Sequence, residues 1–304
     1  MTTDPRAAGS EPPRVITTVD PLIDVATLIS QLAGDAPPIL LDVRWRLGGP
    51  SGHADHLAGH LPGAAFLDLD ADLCGPPGTG GRHPLPEPEL LQQALRVAGV
   101  RQHRPVVVYD AGDADPATRS APRAWWTLRW AGLPQVRVLD GGYAAWVAAG
   151  QPVETGPVSP PPGDVSVTPG GLPVLDAADA AELAASATLL DARAPARYRG
   201  ESEPVDPVAG HIPGAVNLPV TELWGGDGRW WSPEQLRTRL AQAGIDPSRP
   251  VGAYCGSGVT AASTVLALHR AGRPDAALYV GSWSHWITDP QRPVATGPAA
   301  PEEP

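Results

Sequence analysis

Apolar positions along this chain fall into two spacings. Brief continuous runs, such as ILL at 39–41, VVVY at 106–109 and VGAY at 251–254, are too short for amphipathic helices and predict buried strands. Between them lie stretches with helical spacing. LLQQALRVAG (90–99) and PEQLRTRLAQAG (233–244) each end in a glycine suited to a C-cap, and Val265, Leu266 and Leu268 continue a helical face after Thr260, Ala261 and Ala262. Strands alternating with helices predict an α/β fold, with a parallel sheet flanked by helices on both faces.

The alternation repeats. ILLDVR (39–44) returns as TLLDAR (188–193), and GHLPGAAFLDLD (59–70) returns as GHIPGAVNLPVT (210–221). VVVYDAG (106–112) returns as VGAYCGS (251–257), and DGGYAAW (140–146) as VGSWSHW (280–286). Four matches in one order predict two copies of one domain. The expected boundaries are 14–150 for the first copy and 165–295 for the second. QPVETGPVSPPPGD (151–164) is read as a proline-rich spacer. A length of 304 residues suits two domains, each with its own core. The first dozen residues and the tail from about 295 read as disordered.

Charge narrows the partners. A net charge of −11, with no lysine in the chain, argues against nucleic acid and anionic membranes, which need a basic face. No apolar run is long enough to span a bilayer, and the start lacks a signal-peptide pattern, so a cytoplasmic protein is expected. In a reducing cytosol the two cysteines, Cys74 and Cys255, are expected as free thiols.

One of those thiols occupies a reactive position. Cys255 stands where strand gives way to helix, and the first amides of a helix have no intrahelical partner, so the turn favours an anion. Gly256 and Gly258 let the backbone curl toward the sulfur, and Ser257 adds a hydroxyl. Such a cradle favours a thiolate and would equally stabilise a persulfide, with no metal or organic cofactor. The first copy has Tyr109-Asp110 where the second has Tyr254-Cys255, so the first half is expected to lack a nucleophile and the second to carry the chemistry.

With GHIPGA, the strand ending in cysteine, CGSGVTA and the closing SWSHW, the chain resembles the tandem-domain rhodanese family of sulfurtransferases over roughly residues 14–295. The resemblance implies an α/β fold of two tandem rhodanese-like domains. Its Gly-Ser-Gly loop is similar to that of members preferring 3-mercaptopyruvate, whereas thiosulfate-preferring members carry basic residues there. By the same resemblance, Ser257 and Asp70, in FLDLD, form a triad with Cys255. His83, in GGRHPLP, contacts substrate, Arg197 grips its carboxylate, and Gly256, Gly258, Val259 and Thr260 complete the loop around it. A guanidinium fork suits that carboxylate. Animal mercaptopyruvate enzymes carry a second substrate arginine after an acidic-proline pair; here Glu203-Pro204 is followed by Val205.

The implied function is transfer of sulfane sulfur from 3-mercaptopyruvate, through a Cys255 persulfide, to a thiol such as thioredoxin or to cyanide. Thiosulfate as donor, and a persulfide carrier or sensor without turnover, are the alternatives. A dual-specificity phosphatase on this fold would need an arginine six residues after the cysteine, where Ala261 stands. The histidines of HADH (53–56) and His60 lack a second ligand cluster, and His60 and His211 recur before Pro-Gly turns as structural residues. Arg193 reads as a structural strand-end residue, Cys74 as part of a surface loop, and Trp125 and Trp126 as core. Trp283 and Trp286 could line the site or the core. GPPGTGGR lacks the Lys-Ser/Thr end of a phosphate loop.

Overall fold

A computed structural model describes residues 20–298. Two five-stranded parallel sheets are formed. The first contains β1 (Leu22–Ile23), β2 (Ile39–Asp42), β3 (Ala65–Phe66), β4 (Val106–Tyr109) and β5 (Val136–Leu139), in the order β1-β5-β4-β2-β3. The second contains β6 (Val174–Leu175), β7 (Thr188–Asp191), β8 (Val216–Asn217), β9 (Val251–Tyr254) and β10 (Ala277–Tyr279), in the order β6-β10-β9-β7-β8. Position by position the two orders are the same, and so is the register: Asp42 faces Tyr109 as Asp191 faces Tyr254. Helices cover both faces of a parallel sheet, which is why the central strands read as unbroken apolar runs. The two predicted helices span Pro88–Val97 and Pro233–Gln242, and Gly99 and Gly244 follow them with φ of +78° and +73°.

Each sheet ends its central strand in the same buried network. Arg44 grips Asp42 side-on and donates to the Gly59 carbonyl at 2.6 Å; Arg193 does the same to Asp191 and the Gly210 carbonyl at 2.7 Å. The Tyr109 and Tyr254 hydroxyls accept from the amides of Leu61 and Ile212. These contacts explain why Asp-x-Arg, Gly-His-x-Pro-Gly and the strand-end tyrosine recur together. Burial alone would push the Asp42 carboxyl up, but hydrogen bonds from His56 and Arg44 outweigh it and hold it below its ordinary value.

The expectation of a separate core for each half does not hold. Each sheet has its own outer cluster, around Leu28, Tyr109 and Trp146 in the first half and Leu189, Tyr254 and Trp283 in the second. A third and larger cluster runs through both halves. Its centre is the packing of helix Ala121–Trp130 on helix Val259–Arg270, both buried nearly all round. Trp125 and Trp126 are fully buried there.

The proline-rich segment runs along the first half. Glu154 pairs with His60, Gly163 and Val165 donate to Arg96 and Val100, and Thr168 and Gly171 donate to Ala131 and Trp130. The reading of disorder at the first dozen residues falls outside the described residues. At the other end Ala295 exchanges backbone hydrogen bonds of 2.8 and 3.0 Å with His211, so the tail is tied down at its expected first residue. No described helix is long and apolar enough to cross a membrane.

Candidate active site

Cys255 follows β9 directly, and Gly258 opens the helix behind it with φ +79°. A side chain at Gly258 would collide with the Val280 carbonyl at 2.3 Å, so the turn requires glycine both for its torsion and for its space. Held in this way, the Gly258 amide donates to the Cys255 sulfur at 3.2 Å. The Cys255 amide donates to Ser282 Oγ, while its carbonyl and that of Gly256 accept from Trp283 and Ser284. The sulfur-bearing loop is thereby fixed from both sides.

Beside the thiol lies a chain of polar contacts that crosses between the halves. Ser257 Oγ is 2.7 Å from His83 Nδ1, and His83 Nε2 is 3.1 Å from Asp70 Oδ1. Asp70 also accepts from Trp45 Nε1 at 2.9 Å, and the Trp45 ring stands edge-on to His83. The hydrogen bond from His83 holds the Asp70 carboxyl below its ordinary value. An ionised carboxylate only accepts, so His83 Nε2 donates to Asp70, and in the neutral ring Nδ1 is then the acceptor for the Ser257 hydroxyl. The resemblance made His83 a substrate contact; in the structure it links Asp70 to Ser257. It is buried, because the Gly75–Pro84 loop presses against the second half.

Arg197 borders the same turn. It holds Glu203 through Nε and Nη2 at 3.0 and 2.6 Å and reaches Asp206 at 3.1 Å. A second guanidinium, Arg82, takes the other oxygen of Asp206 at 2.6 Å. A Cβ built on Gly256 would lie 3.0 Å from Arg82 Nη2 and 3.5 Å from Arg197 Nη2. Sequence reasoning missed Arg82, although it adjoins His83 in GGRHPLP and follows Gly81, whose positive φ lets the loop touch Gly281 and Ser284. It missed Arg123 as well. This fully buried arginine of the first half donates to the His83 carbonyl at 3.0 Å, and its Nη1 lies against Gly258.

Val259 and Thr260 begin the helix after the loop. Val259 packs with Trp45, Leu69 and Cys74, and Thr260 is half-buried. Cys74 is therefore not in a surface loop. It is buried behind Asp70, because the glycines and prolines after it fold the loop inward, and burial pushes its thiol above the ordinary value. Both cysteines are unbridged. Trp283 and Trp286 pack in the outer core of the second sheet, with Trp283 Nε1 donating to the Val208 carbonyl. His60 and His211 donate from Nδ1 to the carbonyls of His56 and Tyr198, both at 2.7 Å, and no cluster of three or more metal-binding side chains occurs among the described residues.

Comparison with known proteins agrees with this architecture. The model of the rhodanese-like domain matches twice, over residues 25–149 and 176–289. SseB of Mycobacterium tuberculosis, provisionally named a thiosulfate sulfurtransferase, is 48% identical over 91% of this chain and 98% of its own length. A Pseudomonas aeruginosa protein, provisionally named a 3-mercaptopyruvate sulfurtransferase, is 49% identical over 85% of this chain and 92% of its own. The crystal structure of SseA from Escherichia coli, described as a 3-mercaptopyruvate sulfotransferase, superposes with a TM-score of 0.76 at 34% identity, covering 88% of this chain and all of that one. With both halves matched and relatives this similar along nearly their whole length, the chain belongs to the rhodanese family as a tandem of two rhodanese-like domains.

Proposed function

We propose that the protein is a sulfurtransferase that takes the thiol sulfur of 3-mercaptopyruvate onto Cys255, where it becomes the sulfane sulfur of a persulfide, and passes it to a thiol or to cyanide. The observation that carries the donor is the Ser257–His83–Asp70 chain beside the Cys255 sulfur. In this reading the Cys255 thiolate attacks the donor sulfur, a sulfur–sulfur bond forms, and the carbon–sulfur bond breaks. The electron pair leaves on pyruvate as its enolate. The proton of the donor thiol, relayed by Ser257 with His83 as its partner, ends on the enolate carbon, so the products are Cys255-S-S⁻ and pyruvate. An acceptor thiol or cyanide then removes the outer sulfur and restores the thiolate, in ping-pong order. A reducing compartment such as the cytoplasm suits a mechanism that needs a free thiol.

Roles follow for the remaining residues. Arg197 binds the donor carboxylate, Gly256 and Gly258 shape the loop, and Val259 and Thr260 support it from the helix. The first copy, which we place at 14–150, contributes Asp70 and His83 but no nucleophile; 151–164 is the connector, and 165–295 carries Cys255. Thiosulfate is the second reading. Sequence alone put no positive charge beside the nucleophile, yet Arg82 and Arg197 border Gly256 and could hold a dianion. Sulfite leaves without a proton, however, so thiosulfate gives the Ser257–His83–Asp70 chain nothing to do.

The test is steady-state turnover with both donors, with thioredoxin and cyanide as acceptors, followed by mass analysis of the loaded protein. Cys255→Ser should abolish transfer and Cys74→Ser should leave it nearly intact. Added sulfur should sit on the peptide containing Cys255. Sulfur confined to Cys74, or higher kcat/KM with thiosulfate, would overturn the corresponding part of the reading. A single loading without turnover would make the protein a carrier.

A further inference from the structure

The loop that should hold a second substrate arginine carries Val205 instead, and Val205 is largely exposed at the rim of the site. A positive charge reaches the turn after Cys255 from the other half of the molecule. Gly81, at φ +105°, brings its loop within 2.7 Å (measured from a Cβ built on it) of the Gly281 carbonyl, and the Arg82 amide donates to Ser284 Oγ at 3.0 Å. The Arg82 side chain then extends along Asp206 toward the turn after Cys255.

How its donors are spent matters. Arg82 Nη1 takes Asp206 Oδ1 at 2.6 Å, but Nη2 reaches the other oxygen only at 3.5 Å. Arg82 Nε is buried and has no hydrogen-bond partner. The Nε–Nη2 edge is one of the faces by which a guanidinium takes a carboxylate side-on, as Arg197 does with Glu203. In Arg82 the Nε of that edge has no partner and Nη2 is held only by the long contact to Asp206, while Nη2 is also the atom that borders Gly256. A buried donor without a partner is costly, so a ligand oxygen there has more to gain than at an already satisfied group.

We propose that Arg82 is the second carboxylate-binding residue of this site, supplied by the first half in place of Val205. Asp206 sets its direction by holding Nη1, and the donor carboxylate lies between Arg82 and Arg197. This proposal rests on the 3-mercaptopyruvate reading, and it makes donor affinity a property of both halves together.

The experiment measures kcat and KM for 3-mercaptopyruvate on the full chain, and inhibition by pyruvate, in wild type, Arg82→Ala, Arg82→Lys and Arg82→Ala with Val205→Arg. Arg82→Ala should raise KM and the pyruvate inhibition constant by about ten- to a hundredfold while kcat changes less than about threefold. Lysine should recover only part, because the fork is lost. The added Val205→Arg should recover part as well, which no role in folding would explain. If wild type turns over 3-mercaptopyruvate while Arg82→Ala leaves both constants unchanged, or lowers kcat alone, the inference is overturned and the donor reading stands. If wild type works only with thiosulfate, the donor reading falls. Pyruvate inhibition then decides Arg82 separately: unchanged or absent inhibition overturns its role.

Discussion

The chain makes the same turn twice, at Tyr109-Asp110 and at Tyr254-Cys255, and the two turns have different neighbours. Around the first, Asp110 is buried and accepts from the Gly112 and Ala121 amides. A loop from the second half closes over it. Arg119 donates to the Gly228 carbonyl and lies 4.4 Å from the Trp224 ring centre, while Trp224 Nε1 donates to the Ala114 carbonyl. Around the second turn, the corresponding loop of the first half brings Arg82 and His83 to Gly256 and Ser257. Each half therefore covers the other's turn. The backbone is shared, and the difference in chemistry comes from one residue at the turn and a few on the loop that covers it. Duplication supplied two equivalent positions, and in the proposed function only the one that keeps a thiol performs transfer.

The largest effect should come from moving the nucleophile. Cys255→Ser combined with Asp110→Cys is expected to show no transfer above about a thousandth of wild type, because the first turn has no serine–histidine pair and is covered by Trp224 and Arg119. Measurable turnover by that variant would mean the covering loop matters less than the backbone. Next comes the relay. Ser257→Ala or His83→Ala should lower kcat with 3-mercaptopyruvate by about 10²–10⁴, the usual range for positioned proton transfer. Discharge of a preloaded persulfide to cyanide, followed by rapid quench, should slow far less. Equal slowing of both steps would remove the proton-relay role.

Breaking the matched networks comes third. Arg44→Met and Arg193→Met each take the arginine from a buried carboxylate, Asp42 or Asp191, a change that typically costs about 3–5 kcal/mol, with Asp42 keeping His56 and Tyr109. Urea unfolding should show both losses in one transition, since the largest core cluster joins the halves. Only Arg193→Met should also raise KM, through its 3.5 Å contact with Glu203, which holds Arg197. Two separate transitions would contradict the shared core.

The smallest effect concerns pH. Burial pushes the Asp110 carboxyl above its ordinary 3.8, although Arg119 and two backbone amides oppose it. An acid with a raised folded pKa binds its proton more tightly when folded, so stability is lost as pH rises from the unfolded value through the folded one. Asp110→Asn cannot titrate. Its stability relative to wild type should therefore improve as pH rises from about 4 through that window, beyond a constant offset for the lost acceptor. A pH-independent difference in urea midpoints would count against the shift.

Much of this molecule is written in local pattern. The repeated strand runs, the Gly-His-x-Pro-Gly turns and the glycines after two helices follow from burial and torsion, which neighbouring residues determine. Cys255, Gly256 and Gly258 were legible for the same reason, since strand, turn and helix start lie within a dozen residues. Less legible were Cys74, whose loop composition suggested exposure, and the separate cores. Helix Ala121–Trp130 finds its partner 138 positions downstream, counting from Ala121 to Val259, and nothing local reports that meeting.

By itself, then, the sequence determined two α/β repeats, the turn that presents one thiol, and the half that carries it. Only the tertiary structure decided what surrounds that thiol. Ser257 meets His83 across 174 residues of chain, and Arg82 meets Asp206 across 124. Hydrogen bonds and ion pairs act over a few ångströms whatever the separation along the chain, so their partners are chosen by how two folded halves dock.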